Sequence, residues 1–227
     1  MKFEKTEVWG FEHAIRGCRN PLESWDKSDS YCANDEYSLE SYVLGKNDLE
    51  LMQKLIKAGS EHRKFLRQIF VSVDITAPLF WWKEFDTYKV GTTANSTSTM
   101  HKLASTPITM DCFEMSDFEQ VTFTRDSAGI DIKLSTQNVW NGIISDLEAL
   151  RRKYVETKDK RYWKELIRLL PESWLQTRTI TMNYENLLSM VHQRKNHKLT
   201  EWSIDFINWV KTLPYAEELI FIDEVKE

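Results

Sequence analysis

The stretch Ile69–Leu103 reads IFVSVDITAPLFWWKEFDTYKVGTTANSTSTMHKL and packs a strand, a helix and a polar loop into one short run. Apolar residues alternate with polar ones at Ile69, Val71, Val73 and Ile75, a pattern that predicts a strand with one buried face. Pro78 stands where a helix can begin, so an aromatic helix is predicted over Leu79–Lys89. Gly91–Thr99 has no apolar period and is predicted to be a loop. Loops between rigid elements often carry binding groups, which makes this stretch the first candidate for a site.

The aromatic helix and the loop each allow two interpretations. Trp81, Trp82, Phe85 and Tyr88 recur at helical spacing, which favours a core or a subunit interface over a platform for stacking a ligand. The Gly/Thr/Ser loop can cradle a phosphate through backbone N–H groups and hydroxyls, or serve as a solvated connection.

Composition indicates a soluble globular protein of 227 residues with a formal charge of -5. We expect a single domain over residues 1–227. The acidic balance argues against a nucleic-acid partner. No apolar run approaches a membrane span and the N-terminal residues lack the apolar core of a signal peptide, so we expect no membrane contact and no secretion. An odd number of cysteines without a CxxC pair favours the cytoplasm; they are Cys18, Cys32 and Cys112.

Away from this stretch, periodicity predicts mostly helices. A helix is expected from Asn47 or Asp48, either of which could cap it, to a stop at Gly59. Further helices are expected at about 138–154, 160–170, 183–194 and 200–213, and strands at 121–124, 130–134 and 176–183. Residues 1–45 are expected to be irregular with one short strand. Because strands and helices do not alternate as βαβ units, the predicted class is α+β.

Motifs with an established chemistry are missing from the sequence. It contains no GxGxxG, GxxxxGK[ST], GxSxG or HExxH, so neither a dinucleotide fingerprint, a P-loop, a nucleophile elbow nor a metal site is expected. A polar cluster follows the last predicted strand: Arg178, Asn183, Glu185, Arg194, Lys195, Asn196, His197 and Lys198. On residue types alone, this cluster fits a solvated helix face with a basic C-terminal turn.

Two blocks of sequence together resemble the flavin-dependent thymidylate synthase family. The first, Ile56–Leu103, has the family's order of a helix ending in Gly, a His, an apolar strand, an Ala-Pro helix start and a downstream Asn and Ser. The second, Leu169–Trp202, resembles its Leu-Pro, Thr-x-Asn, Arg and late acidic segment. The two blocks cover about half of the chain and stand in the family's order.

The resemblance implies an α+β subunit that forms a homotetramer and binds FAD and deoxyuridylate. The implied reaction transfers a one-carbon unit from methylenetetrahydrofolate to dUMP or a related pyrimidine nucleotide, and NADPH reduces the flavin. By position, Arg194 and Ser98 match catalytic residues of the family. Cofactor-binding positions fall on His62, Lys89 and Asn183. Substrate-binding positions fall on Glu84, Asn95, Ser96, Ser98 and Arg194. A guanidinium at Arg194 is suited to this role because it stays charged and offers paired donors.

Several positions depart from the family pattern. The Arg-His-Arg triplet is Thr87-Tyr88-Lys89, Glu84 replaces a Gln, Met100 replaces an Arg, and Glu185 reverses the charge of an Arg. An alternative hypothesis is therefore a non-catalytic descendant that acts as a nucleotide-binding or assembly module. A third is an unrelated α+β protein with a chance match.

Overall fold

A computed structural model describes residues 1–33 and 41–222 and confirms the α+β class. The strands are β1 (Lys2–Trp9), β2 (Tyr31–Ala33), β3 (Ser41–Val43), β4 (Phe70–Pro78), β5 (Thr93–Ser96), β6 (Thr122–Ser127), β7 (Ile130–Ser135) and β8 (Leu175–Asn183). The helices are α1 (Phe11–Arg19), α2 (Lys46–Lys57), α3 (Leu79–Phe85), α4 (Thr99–Lys102), α5 (Thr136–Thr157), α6 (Lys160–Leu169), α7 (Tyr184–Arg194), α8 (Ile207–Lys211) and α9 (Ala216–Leu219). A π-helix, Glu201–Phe206, runs into α8.

One sheet has four strands in the order β1-β4-β8-β5, and two antiparallel hairpins are formed by β2 with β3 and by β6 with β7. The chain divides into two compact units. Unit 1 contains Met1–Ile75, Asp86–Asn95 and Arg178–Glu227, and unit 2 contains Thr76–Phe85 and Ser96–Thr177. In the part of the chain that the structure describes, no helix is both long and apolar enough to cross a membrane.

The alternation in β4 produces the core of unit 1, as predicted. Val71, Val73 and Ile75 are buried, and the polar side chains between them are only half-buried. Strand β8 contributes Ile180 and Met182 to the buried set of the same unit. Burying several branched side chains at about 1.5–3 kcal/mol each is the main stabilising term for such a sheet.

In unit 2, the aromatic helix supplies core residues. Trp81, Trp82 and Phe85 are almost fully buried, and Trp82 donates its indole N–H to the Gln176 carbonyl at 2.9 Å. The interpretation of these rings as core is confirmed. The helix ends at Phe85 rather than Lys89, and Tyr88 therefore lies outside it.

The loop prediction for Gly91–Thr99 was only partly right. Residues Thr93–Ser96 form β5 and Thr99 begins α4. Strand β5 is exposed along its length, so it lacks the buried apolar face from which a strand is recognised in sequence.

The prediction of irregular structure over residues 1–45 was wrong for 1–33 and 41–45, because this part contains β1 and α1 as well as the short strands β2 and β3; residues 34–40 lie outside the described part of the chain. In β1 the half-buried residues Phe3 and Val8 are an odd number of positions apart, and a regular strand would put them on opposite faces. Lys5, with φ of 52°, interrupts the alternation between them. Its left-handed backbone explains why no period of two is visible in the sequence.

The start of α2 was also predicted with the wrong capping residue. Neither Asn47 nor Asp48 caps the helix, whose N-cap is Gly45. The orphan N–H groups of Asn47 and Asp48 are instead accepted by the Asp29 carboxylate, at 2.9 and 3.1 Å. A Cβ on Gly45 would lie 2.2 Å from that carboxylate, so the position requires glycine. The predicted stop is confirmed: Gly59 has φ of 107° just beyond the helix.

Asp48 lies at the centre of a buried polar network. It is 1% exposed, and its carboxylate accepts hydrogen bonds from Arg19 Nε at 2.6 Å and from the hydroxyls of Ser28 and Ser30 at 2.7 and 2.6 Å. Arg19, also buried, donates its other nitrogens to the carbonyls of Ser24 and Lys27. This network holds residues 24–30, which lie between α1 and β2, against α2 through side-chain hydrogen bonds.

The helices α5 and α6 and the hairpin β6–β7 match the predicted spans within a few residues. Glu148 on α5 is largely buried, with 14% of its side chain exposed. Its carboxylate accepts from Arg151 Nε at 2.6 Å and from the Ile108 N–H at 2.9 Å. Together with a bond from Arg152, these contacts outweigh the effect of burial and lower the pKa of Glu148 to about 2.

Candidate functional site

Arg194, the last residue of α7, contacts two aromatic rings that also pack on each other, Tyr88 and Trp202. Its Nε donates to the Tyr88 hydroxyl at 2.8 Å. Its guanidinium carbon lies 4.8 Å from the Trp202 ring centroid and 5.5 Å from that of Tyr88. Contacts of a cation with ring faces contribute about 0.5–1 kcal/mol each when exposed and more when desolvated. The half-buried guanidinium therefore has a fixed orientation.

Tyr88 is itself fixed by α7. Its hydroxyl donates to Gln193 Oε1 at 2.9 Å while it accepts from Arg194. Tyr88 is the middle residue of Thr87-Tyr88-Lys89, so the segment that departs most from the family pattern is the one that positions Arg194. Thr87 and Lys89 on either side are exposed.

Asn183 is the N-cap of α7. Its side-chain oxygen accepts from the Asn186 N–H at 3.0 Å, and the Asn186 side chain accepts from the Asn183 N–H at 3.2 Å, which completes a capping box. Asn183 is 6% exposed. The contact of Asn183 with a flavin stays a prediction. The capping box shows that Asn183 also stabilises the start of α7.

The turn after Lys89 packs directly on this capping box. Asn186 donates its amide N–H to the Val90 carbonyl at 2.7 Å. A Cβ on Gly91, where φ is 78°, would come within 2.9 Å of the Asn183 amide nitrogen. Val90 and Gly91 therefore lie beside Asn183 at the start of α7, whereas Tyr88 contacts Gln193 and Arg194 at its end, and Lys89 stands between these two contacts in the sequence.

Glu185, in the first turn of α7, is paired with arginines that sequence reasoning did not single out. Arg67 donates to one of its carboxylate oxygens, and Arg63 Nε lies 3.6 Å from the other. The hydrogen bond and charge of Glu185 raise the pKa of Arg67. Arg63 Nε is buried without a hydrogen-bond partner in the described chain. His62, the third predicted cofactor-binding residue, is the exposed neighbour of Arg63.

No local signal could have indicated this group, because Arg67 and Glu185 are 118 residues apart in sequence. Two guanidinium groups face one carboxylate, so the charge of the group is positive. The charge reversal at Glu185 is therefore neutralised by side chains on the short helical segment Lys64–Gln68 and its N-cap residue.

The remaining predicted residues lie on β5, on α3 and at the start of α4. Asn95 is exposed on β5 within unit 1. In unit 2, Ser96 is exposed on β5, Glu84 is half-buried on α3, and Ser98 caps α4 by accepting from the His101 N–H at 3.2 Å. No group of His, Cys, Asp and Glu suited to a metal ion is found among residues 1–33 and 41–222.

Replacing Asn183 separates its two tasks. Asn183→Ala removes the cap acceptor, and we expect a loss of about 1 kcal/mol in the free energy of unfolding. Asn183→Asp keeps a capping oxygen but removes the amide donor, so stability should be retained. Urea denaturation measures the first effect and flavin titration the second. If wild type and Asn183→Asp bind flavin with equal affinity, the Asn183 amide does not contact the flavin and the residue acts only as a helix cap.

Comparison with known proteins identifies the fold. No family model and no curated protein sequence matches the chain. A crystal structure of flavin-dependent thymidylate synthase from Helicobacter pylori, complexed with FAD and dUMP, is 15% identical, with a TM-score of 0.68 over 98% of this chain and 99% of that chain. A second structure of the Helicobacter pylori enzyme with FAD and dUMP is 16% identical, with a TM-score of 0.69 over 100% of both chains. The chain therefore has the fold of flavin-dependent thymidylate synthase along its whole length.

Proposed function

We propose that this chain is a divergent flavin-dependent thymidylate synthase-like enzyme that methylates dUMP or a related pyrimidine nucleotide. The observation that carries the proposal is the full-length fold, since structures that share it hold FAD and dUMP. The TM-scores of 0.68 and 0.69 over 98% and 100% of the chain support the proposal beyond the two sequence blocks that resemble the family.

Arg194 is the residue that we expect to recognise the nucleotide. Tyr88 and Trp202 hold its guanidinium in one orientation, so little side-chain entropy remains to be lost on binding. The planar, permanently charged group suits the carbonyl edge of a pyrimidine and favours an ionised form of the ring. Ser98 is proposed as the second catalytic residue, and Glu84, Asn95 and Ser96 as further substrate-binding residues.

The donor set of unit 1 fits an anionic cofactor such as FAD. Arg63 and Arg67 together exceed the charge of Glu185, and His62 and Lys89 are exposed donors. These side chains would hold phosphate oxygens by charge-assisted hydrogen bonds. When bound, a reduced flavin supplies reducing equivalents; NADPH and methylenetetrahydrofolate are the proposed co-substrates. We also propose a cytoplasmic homotetramer.

One observation favours the alternative of a non-catalytic nucleotide-binding or assembly module. The hydroxyl of Tyr88, which replaces the central His of the family triplet, is already engaged by Arg194 and Gln193. In this alternative the contact of Arg194 with Tyr88 and Trp202 stabilises the subunit and has no catalytic role.

Spectroscopy separates the two candidates. We expect the purified protein to show flavin absorbance, or to acquire it on titration with FAD but not FMN, and to oxidise NADPH when dUMP and methylenetetrahydrofolate are present. Flavin binding with turnover would contradict the non-catalytic module. A colourless protein that binds neither FAD nor dUMP in calorimetry would contradict the proposed enzyme.

A further inference from the structure

Unit 1 contains a cleft of about 800 Å³ that the proposed function does not use. Its lining comes from the junction of β1 and α1, from the hairpin β2–β3, and from the chain that follows α8. An adjoining hollow of about 260 Å³ shares Trp9, Gly10 and His13 with it and extends to Phe70. None of the predicted nucleotide or flavin residues borders either space.

The walls of this cleft are held rigidly. Gly10 has φ of 98°, and a Cβ there would lie 2.0 Å from the Gln68 carbonyl oxygen, so the β1–α1 junction is in tight contact with the neighbouring backbone. Tyr215 adopts φ of 56°, which is uncommon for a non-glycine residue. Its hydroxyl accepts from the Leu44 N–H at 2.9 Å, which fixes the ring in place. A preformed cleft loses little entropy on binding.

Aromatic surface is available at the mouth of the cleft. Trp9 is 46% exposed and stacks on Phe70, which is 36% exposed, with ring centroids 5.7 Å apart. Tyr42 and Tyr215 also line the space. Exposed aromatic rings around a cavity bind apolar ligand groups, and their faces attract cations.

The charge of the lining is negative. Among its described residues there is no Lys or Arg, although the chain has 30 of them, and the carboxylate is that of Glu12. The other ionisable groups are His13, Cys32 and the two tyrosines. Burial raises the pKa of Tyr42, and the nearby Glu12 carboxylate raises it further.

From these contacts we infer that the cleft binds a small organic cation in which a flat apolar group is joined to an ammonium group. The apolar group stacks on Trp9, and the ammonium lies by the Glu12 carboxylate and the aromatic faces. Anions are disfavoured because the lining offers no permanently charged cation.

Calorimetry with three matched probes tests this inference on the full chain. Phenethylammonium carries the cation, 2-phenylethanol is its neutral analogue of similar size, and phenylacetate carries the opposite charge. We expect phenethylammonium to bind about tenfold more tightly than 2-phenylethanol, and phenylacetate more weakly than either. The result is independent of flavin or dUMP binding, so it stands or fails apart from the proposed enzyme.

Two variants locate the binding, and one serves as a control. Glu12→Gln should reduce the affinity for phenethylammonium to that of the alcohol and leave the alcohol unchanged. Trp9→Ala should weaken both probes. Glu4→Gln, which changes an exposed carboxylate of β1 outside the cleft, should change neither. Equal affinities for the cation and the alcohol in wild type, or an unchanged cation affinity in Glu12→Gln, would overturn the inference; circular dichroism verifies that each variant is folded.

Discussion

Arg194→Ala is expected to reduce the affinity for dUMP by about 10- to 100-fold, because hydrogen bonds to a charged group contribute about 1.5–3 kcal/mol each. The guanidinium is positioned by Tyr88 and Trp202, so its removal takes away a group that is already oriented. Calorimetric titration of the wild type and the variant with dUMP measures the loss. The elution volume in size-exclusion chromatography should not change.

Two further variants define the cause of that loss. Tyr88→Phe keeps the ring but removes the hydroxyl that accepts from Arg194, so we expect a smaller loss, due to a less fixed guanidinium. Arg194→Lys keeps the charge but not the planar fork, and it should recover only part of the affinity. An Arg194→Ala protein that binds dUMP as tightly as wild type would exclude Arg194 from the nucleotide site.

Asp48→Ala should destabilise the protein by about 3–5 kcal/mol, because it leaves the buried Arg19 guanidinium without its carboxylate. The Ser28 and Ser30 hydroxyls lose the same acceptor. The midpoint of urea denaturation measures the change. Glu50→Gln, an exposed carboxylate on the same helix, is the matched control and should shift the midpoint little.

The same network gives stability a dependence on pH. Burial alone would raise the pKa of Asp48, but hydrogen bonds from Ser30, Ser28 and Arg19, with the Arg19 charge, lower it below the ordinary value. A carboxyl group with a lowered pKa stabilises the fold above its unfolded pKa, and this stabilisation is lost as the pH falls through the folded one. The free energy of unfolding of wild type should fall as the pH is lowered through the folded pKa of Asp48. The free energy of unfolding of Asp48→Asn should lack this contribution to the pH dependence. An equal acid dependence in both proteins would contradict the assignment to Asp48.

Features that depend on neighbours in sequence could be predicted. The alternation of Val71, Val73 and Ile75 determines which face of β4 is buried, and Asn183 caps α7 from its own first turn. Helix α1 could also have been found, since Phe11, Ala14, Ile15 and Cys18 recur at helical spacing and are all buried.

Features that depend on distant contacts could not be predicted. Asp29 accepts the N–H groups at the start of α2 from outside the helix, and Glu185 pairs with Arg67, 118 residues earlier in the chain, and with Arg63. The family resemblance predicted a role for Arg194 but did not predict its contact with Trp202. The packing of a ring on a guanidinium has no sequence motif from which it could be recognised.

The π-helix at Glu201–Phe206 changes how the last apolar segment must be understood. A continuous α-helix over 200–213 would present one wide apolar band, yet Ile204 in its middle is 51% exposed while Trp202 and Phe206 are buried. The wider turns of the π-helix shift the phase of the side chains, so Ile204 is exposed while the buried rings still form one continuous run. Phe206 packs against Trp202 and Trp209, with ring centroids 5.1 and 5.7 Å apart, and Trp202 also contacts Arg194. One continuous helical run over 201–211 therefore both positions Arg194, through Trp202, and supplies buried residues to the core.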